Sequence, residues 1–189
     1  MQFLKFSLDE TIPTAIKLAT MVKKSGFVPD IIVAISRGGL VLGRLLSDLL
    51  SVSDLRIIRI RRYKGVGEAG ELRIDIPILG KLDGKKVLIV DDVADMGDTL
   101  LAAIKHIEQR GAEEIKTLTI HYKPWCKVTP DFFIQKTESW VVYWWEYAET
   151  ARSLFKKMLE KDANRESVLR KLEKDAGIPR EVIKWLGLR

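Results

Sequence analysis

Hydrophobic and polar positions along the chain follow two periods, one typical of buried strands and one typical of amphipathic helices. The uninterrupted apolar runs 31–35 and 87–90 match strands that are buried on both faces of a parallel sheet. Ser7 and Glu10 have the spacing of a capping box, and apolar residues at helical spacing follow them as far as Gly26. The predicted strands and extended segments are 31–35, 55–63, 72–78, 87–90 and 115–121. Further helices are predicted at 40–50 and 98–111.

The order strand, polar loop, helix repeats along this part of the chain and predicts an α/β fold. Such a fold has a mainly parallel sheet flanked by helices, and its ligands lie beyond the carboxyl ends of the strands. After residue 142 the pattern changes to three helices, at 145–161, 165–176 and 179–186. The sequence therefore predicts a domain of residues 1–146 and a C-terminal helical appendage of residues 147–189.

Composition narrows the class of protein. With 189 residues, of which 47% are hydrophobic and 31% charged, the chain is long enough to bury a substantial core. Its apolar runs are too short to cross a bilayer and its N-terminus lacks a signal-peptide pattern, so we expect a cytoplasmic protein. The single cysteine, Cys126, forms no intramolecular disulfide and makes no ligand cluster with the two histidines. Zinc is therefore not expected.

The net charge of the chain is +6, which suits an anionic partner such as a phosphorylated small molecule or a nucleic acid. Lys and Arg residues are scattered through the sequence without a recognisable nucleic-acid-binding motif. Charge alone does not decide between these partners, but the missing motif favours a small anionic ligand.

The segment 87–99 carries the densest set of chemical groups in the sequence. Its four apolar residues predict a strand, and the carboxylates Asp91, Asp92 and Asp95 follow. Residues 95–99 then lead into a predicted helix, where successive backbone N–H groups suit a phosphate. The segment therefore offers carboxylates for sugar hydroxyls beside amides for a phosphate.

This segment resembles the motif with which type I phosphoribosyltransferases bind phosphoribosyl pyrophosphate (PRPP), and residues 1–147 resemble the purine branch of that family. The resemblance implies the type I phosphoribosyltransferase fold with a small base-binding hood. By it, Asp91 and Asp92 hold the ribose hydroxyls, and Asp95 accepts a proton near purine N7. The loop implied to cradle the 5′-phosphate consists of Asp95, Met96, Gly97, Asp98 and Thr99. The family usually has Thr or Ser in place of Met96 and often Lys in place of Asp98.

Two further loops resemble those of the family. The implied pyrophosphate loop consists of Ser36, Arg37, Gly38 and Gly39. Its glycines let backbone N–H groups approach the ligand, and its arginine gives forked donors to a phosphate. Family members commonly hold a non-proline cis peptide in this loop, so we expect one between Ser36 and Arg37. The implied flexible loop spans 61–73 and contains Arg62, Tyr63 and Lys64, and which basic residue of it reaches pyrophosphate is open.

The segments at 121–125 and 140–142 resemble the base-recognition segments of xanthine-guanine-type enzymes. By this resemblance Lys123 donates to a purine 6-oxygen, Trp140 stacks on the ring, and the backbone of Val141 and Val142 bonds to its edge. The remaining tryptophans are assigned to packing or to an interface, and these are Trp125, Trp144, Trp145 and Trp185. His106 is expected on a solvated helix face, and Cys126 is given no catalytic role.

The resemblance implies an enzyme that joins PRPP to a purine base and releases pyrophosphate and a nucleoside monophosphate. Asp91, Asp92 and Asp95 would be its catalytic residues. Mg²⁺ would be the cofactor, held mainly through PRPP and in part by Asp91 and Asp92 rather than by a dedicated cage of protein ligands. The family also implies a homodimer.

Three alternatives remain for the function. Lys123 favours a 6-oxopurine, because an ammonium group donates to a carbonyl oxygen and cannot accept from an amino group. The helical tail instead resembles that of crenarchaeal adenine phosphoribosyltransferases, and on this ground we favour adenine over hypoxanthine, guanine or xanthine. The third alternative is a regulator that senses PRPP and binds nucleic acid through the basic segment 152–189.

Overall fold

A computed structural model describes residues 2–63, 70–160 and 164–188. The chain divides into two compact units, one of residues 12–138 and one that combines residues 1–11 with residues 139–189. The strands are β1 Phe3–Phe6, β2 Ile31–Ser36, β3 Leu55–Tyr63, β4 Glu71–Ile76, β5 Lys86–Val90, β6 Val93–Ala94, β7 Glu114–Tyr122, β8 Phe132–Lys136 and β9 Trp140–Tyr143. The helices are α1 Leu8–Lys24, α2 Gly39–Leu49, α3 Asp98–Glu108, α4 Tyr147–Leu159, α5 Arg165–Lys174 and α6 Arg180–Trp185.

The larger unit contains a seven-stranded sheet. Its strand order is β4-β3-β2-β5-β7-β6, and β8 pairs with β7 beside this path. The strand pairs are parallel except for the hairpin of β3 and β4. A mostly parallel sheet in an α/β chain confirms the predicted fold class.

The middle of this sheet is buried because its strands are apolar on both faces. Every residue from Ile31 to Ile35 in β2 and from Val87 to Val90 in β5 is at most 3% exposed. Ala34 of β2 pairs with Val90 of β5, and Val90 pairs with Leu118 of β7. The carboxyl ends of these parallel strands therefore meet at one edge of the sheet, where ligands bind in such folds.

Helix α2 packs closely on the strand that precedes it. A Cβ atom on Gly43 would lie 2.8 Å from the Cβ of Ala34 in β2, so the close contact between α2 and β2 requires a glycine at this position. At α1 the predicted capping residues interact, since Ser7 donates to the Glu10 carboxylate through its N–H at 2.8 Å and through its hydroxyl at 2.7 Å.

The second unit is built on a parallel pair of strands that lie far apart in the sequence. In the pairing of β1 with β9, Phe3 lies opposite Trp140 and Phe6 opposite Tyr143. Helices α4, α5 and α6 share a buried cluster with β9, and its buried members are Val142, Ala151, Leu154, Val168, Leu172, Ala176, Ile178 and Ile183. The predicted boundary at residue 146 stays a prediction.

Two of the four tryptophans assigned to packing do pack in this unit. The Trp144 indole N–H donates to the Thr11 hydroxyl at 2.8 Å, and Trp145 stacks on Tyr143 with ring centroids 4.8 Å apart. Trp185 is 77% exposed, so it does not pack in the core, and an interface remains its alternative. Among the described helices, none is long and apolar enough to cross a membrane.

Candidate active site

Two adjacent carboxylates follow β5, and local hydrogen bonds fix both. The N–H of Asp92 donates to Oδ1 of Asp91 at 3.0 Å, and the N–H of Val93 donates to Oδ1 of Asp92 at 2.7 Å. The carbonyl of Asp92 accepts from the N–H groups of Ile120 and His121 in β7. Asp92 is only 6% exposed. A buried carboxylate is costly unless it is hydrogen-bonded, and these contacts stabilise it.

The loop after these acids turns sharply into α3. Gly97 precedes the helix with a φ of +84°, a left-handed conformation that suits glycine. A Cβ atom there would lie 2.9 Å from Sγ of Cys126 and 3.1 Å from the N atom of Lys127. Residues 95–99 therefore place backbone amides at the positive end of a helix, beside a packed neighbouring segment.

A pocket of about 220 Å³ lies over this loop. It is lined by Arg62, Asp91, Val93, Ala94, Asp95, Met96, Gly97, Asp98, Thr99, Leu100 and Thr119. The structure thus brings together the predicted sugar-binding acid Asp91 and the whole predicted phosphate loop. It adds Thr119 of β7, whose hydroxyl is buried without a hydrogen-bond partner among the described residues.

Asp98 at the start of α3 is held between two cations. Its Oδ2 accepts from a terminal nitrogen of Arg62 at 2.6 Å, and its Oδ1 accepts from Nζ of Lys127. The hydrogen bond from Lys127 is the main cause that lowers the pKa of Asp98, and Arg62 adds to it. The acid that departs from the family pattern is thus an ionised partner of two basic side chains.

The predicted pyrophosphate loop lies between β2 and α2. The peptide bond between Ser36 and Arg37 is cis, as expected. A Cβ atom on Gly38 would overlap the Asp92 carboxylate, and one on Gly39 would overlap the Val90 carbonyl. Both glycines are therefore needed for this loop to approach the end of β5.

Lys123 and Trp125 lie close to Asp95. Lys123 is 7% exposed, and burial lowers the pKa of its ammonium group while the nearby Asp95 carboxylate opposes this shift. The Trp125 indole N–H donates to Oδ1 of Asp95 at 2.9 Å, and Nζ of Lys123 lies 5.8 Å from the Trp125 ring centroid. Trp125 is 48% exposed, so it does not pack in the core, and its hydrogen bond orients the predicted proton acceptor; an interface remains its alternative, as for Trp185.

The predicted base-binding residues are divided between the two units. Lys123 belongs to the unit of residues 12–138, and Trp140, Val141 and Val142 belong to β9 of the other unit. Val141 is 7% exposed and Val142 is fully buried, and both pair with β1. The Lys157 ammonium lies 5.7 Å from the Trp140 ring centroid. Their role in base binding stays a prediction.

His106 does not lie on a solvated helix face, so that expectation is wrong. It is 9% exposed, and its Nε2 accepts from the Ile78 N–H at 3.1 Å. Burial lowers the pKa of the imidazole, because desolvation disfavours its charged form. The hydrogen bond from Ile78, just after β4, gives the buried ring nitrogen a partner. The sequence gives no sign of this hydrogen bond.

The structure also shows which site residues the sequence alone did not identify. Lys127 and Thr119 were not predicted, since neither belongs to a motif and each reaches the loop through the course of β7 and the segment after it. Arg62 was predicted in the flexible loop and is found beside the phosphate loop. Lys64 and the side chain of Tyr63 lie outside the described residues.

Comparisons with known proteins identify the family of this chain. Residues 12–151 match the phosphoribosyl transferase domain family. A hypoxanthine/guanine phosphoribosyltransferase of Methanocella arvoryzae is 38% identical over 109 residues, which are 54% of this chain and 56% of that protein. A ribose-phosphate pyrophosphokinase of Haemophilus ducreyi is 28% identical over 119 residues, which are 63% of this chain and 36% of that protein.

A solved structure matches a larger share of this chain than either curated relative does. The crystal structure of a purine phosphoribosyltransferase from Pyrococcus horikoshii has a TM-score of 0.71 and 36% identity, and the match covers 77% of this chain and 94% of that one. The chain spans only about one third to just over one half of the two curated relatives. Since the family match extends over most of the chain, from residue 12 to residue 151, the protein belongs to the phosphoribosyl transferase domain family.

Proposed function

We propose that this protein is a purine phosphoribosyltransferase, which transfers ribose 5-phosphate from PRPP to a purine base and releases pyrophosphate. One observation carries the proposal. Asp91 at the end of β5 and the loop 95–99 at the start of α3 line the same pocket. Carboxylates suit the ribose hydroxyls and helix N-terminal amides suit the 5′-phosphate, so the pocket fits a phosphorylated ribose.

The loop between β2 and α2 offers hydrogen-bond donors for the pyrophosphate that leaves. Gly38 packs directly against the Asp92 carboxylate, so the loop of Ser36–Gly39 lies next to the predicted ribose site. Its backbone N–H groups and the guanidinium of Arg37 are donors suited to pyrophosphate. Departure of pyrophosphate leaves positive charge on the ribose ring, and the carboxylates of Asp91 and Asp92 stabilise that charge.

Mg²⁺ fits this donor set as a partner of the substrate. Among the described residues, no group of three or more His, Cys, Asp or Glu side chains is placed to hold a metal ion. The adjacent carboxylates of Asp91 and Asp92 are hard oxygen donors of the kind Mg²⁺ prefers, and the phosphates of PRPP would complete the coordination. Bound there, the ion would neutralise charge that builds up on the leaving pyrophosphate.

For the base we propose a 6-oxopurine, the alternative that Lys123 indicated, in place of adenine. The Methanocella relative is named for hypoxanthine and guanine, and it favours this alternative. Lys123 is buried beside Asp95, where its ammonium group has donors for a carbonyl oxygen but no acceptor for an amino group. Asp95, oriented by Trp125, is the proposed proton acceptor near N7.

The decisive experiment incubates the protein with PRPP, Mg²⁺ and each of adenine, hypoxanthine, guanine and xanthine. We expect nucleotide from a 6-oxopurine and a ratio over adenine that can exceed about 10⁴, because the wrong edge leaves buried polar groups unpaired. Lys123→Met should lower kcat/KM for that base, whereas Lys81→Met, on a side chain 88% exposed, should leave it unchanged. Turnover of adenine alone would restore the adenine alternative.

A double variant tests the reaction centre itself. Asp91→Asn with Asp92→Asn keeps the hydrogen-bond acceptors but removes both charges, so we expect kcat/KM to fall by about 10² or more with an unchanged thermal transition. Normal turnover in this variant would refute the assignment. A protein that binds PRPP and duplex DNA but makes no nucleotide from any base would instead be the regulator, and a salt titration of DNA binding would show it.

A further inference from the structure

The phosphate loop contains a side-chain anion of its own. Asp98 lies in the first turn of α3, where a negative charge is favoured by the helix dipole. Its carboxylate already takes hydrogen bonds from Arg62 and Lys127. Two positive charges and one negative charge leave this trio with a net positive charge of one, while Asp91 and Asp95 are further acids in the lining of the same pocket.

Other contacts hold the Arg62 guanidinium and the Lys127 backbone relative to the loop. Arg62 also donates to the Gly70 carbonyl at 2.9 Å, which ties its guanidinium to the residue before β4. The backbone N–H of Lys127 donates to the Met96 carbonyl at 3.2 Å, so the Lys127 backbone lies against the loop. A guanidinium held in this way loses less conformational entropy when it binds a ligand.

Thr119 of β7 also lines this pocket, together with Arg62 and Asp98. Its hydroxyl is fully buried and makes no hydrogen bond among the described residues, which costs free energy. The side chains of Arg62 and Lys127 are instead 42% and 55% exposed. The two cations, and not the Thr119 hydroxyl, are therefore the groups that a ligand can reach.

We propose that Arg62 and Lys127 bind the 5′-phosphate of the ribose substrate, and that Asp98 is a positioning residue that holds both cations and competes with the phosphate for them. The inference rests on the proposed function, because it assigns two ligands and one competitor within the same PRPP site. It explains how the loop can bind phosphate with Met96 and Asp98 in place of a hydroxyl and a lysine.

The proposal predicts opposite effects at the three positions. Loss of either cation removes a charged donor, so Arg62→Gln and Lys127→Gln should each weaken phosphate binding by about tenfold or more. Asp98→Asn removes the competing anion but keeps a side chain of the same size, so it should tighten phosphate binding. The expected gain in affinity is about two- to fivefold, which corresponds to the free energy of an exposed ion pair. A role of Asp98 in folding alone would not tighten binding.

Calorimetric titration of the intact protein with ribose 5-phosphate, and with ribose as the unphosphorylated control, measures these effects without catalysis. Arg44→Gln is the matched control, because Arg44 forms an exposed pair with Asp48 on α2 and should not change binding. Asp98→Glu keeps the charge and should bind as the wild type does, which separates charge from folding. Circular dichroism of each variant checks that the fold is retained.

The outcomes separate this inference from the proposed function. Unchanged affinity in Arg62→Gln and Lys127→Gln, weaker binding in Asp98→Asn, or no binding of ribose 5-phosphate to the wild type would each overturn the inference. If nucleotide synthesis proceeds while the variants bind as the wild type does, only the inference fails. If the variants follow the expected order but no base is converted, only the proposed function fails.

Discussion

The contact of Gly38 with Asp92 shows how single residues connect two loops of the site. The glycine has no side chain, and the Asp92 carboxylate occupies the space where a Cβ would lie. Because Asp92 is also held by the Val93 N–H, the carboxylate joins the end of β5 to the loop after β2. Any side chain at residue 38 would have to displace a residue of the proposed ribose site.

His106 makes the stability of the protein depend on pH. Its pKa in the folded state is lowered below the ordinary value of 6.5, so the unfolded state takes up a proton first as the pH falls. The stabilisation is therefore full above pH 6.5 and is lost as the pH falls from there through the lowered pKa. We expect the free energy of unfolding to decrease between pH 7 and pH 5 less in His106→Gln than in the wild type.

Chemical denaturation at several pH values measures this difference. Glutamine keeps an oxygen that can accept from the Ile78 N–H but does not titrate, so the pH dependence of the two proteins should differ only in the acid range. Parallel curves for the two proteins would show that His106 does not contribute. The other histidine, His121, is present in both and cancels in the comparison.

Residues in a contiguous motif were predictable from the sequence, and those that reach the site from elsewhere were not. Asp91 and the loop 95–99 follow one another along the chain, so a strand followed by a helix is enough to place them together. Lys127 lies 29 residues after its partner Asp98, and only the fold brings them into contact. Trp125 gave no signal either, since an aromatic residue in a sequence is most simply assigned to packing.

At the scale of elements, the buried strands and amphipathic helices were predicted because their apolar periods are strong. The strand β3 was predicted over the range that the structure shows, and α3 was predicted three residues too long. The strands β1 and β8 were not predicted, because they have only four and five residues, and the partner of β1 lies far along the chain in β9. Pairing of this kind leaves little local signal.

The three tail helices should contribute to stability through their shared core. Leu154 of α4 is fully buried in that cluster, so Leu154→Ala should lower the free energy of unfolding by about 2–5 kcal/mol. Leu159, at the end of the same helix, is 36% exposed, and Leu159→Ala should cost less than about 1 kcal/mol. Urea unfolding followed by tryptophan fluorescence compares the two variants, and equal losses would contradict the prediction.

At the scale of the whole molecule, an apolar stripe on α1 bears on the homodimer that the family resemblance implies. Leu8, Ile12 and Ile16 recur every four residues and are 60%, 53% and 48% exposed. Residues at this spacing lie on one helix face, and an exposed apolar stripe is a common feature of interaction sites. We propose that this stripe meets a second copy of the chain.

Light scattering after size-exclusion chromatography tests whether the α1 stripe forms a dimer interface. We expect the wild type at twice the chain mass of 21.5 kDa and Ile16→Lys at the chain mass, because a charge in an apolar interface is costly to bury. Lys17→Gln, on the neighbouring exposed position of the same helix, is the control and should remain dimeric. A monomeric wild type would refute the dimer.

The pairing of β1 with β9 has a consequence for how the protein is made. On the ribosome β1 emerges before residues 12–138, and its partner Trp140–Tyr143 follows only after this whole stretch has been synthesised. At roughly 5–20 residues per second, the first strand waits from several seconds to about half a minute. The nascent chain must therefore keep Phe3, Leu4 and Phe6 from pairing elsewhere during this delay, and the charge of Lys5 between them opposes such premature association.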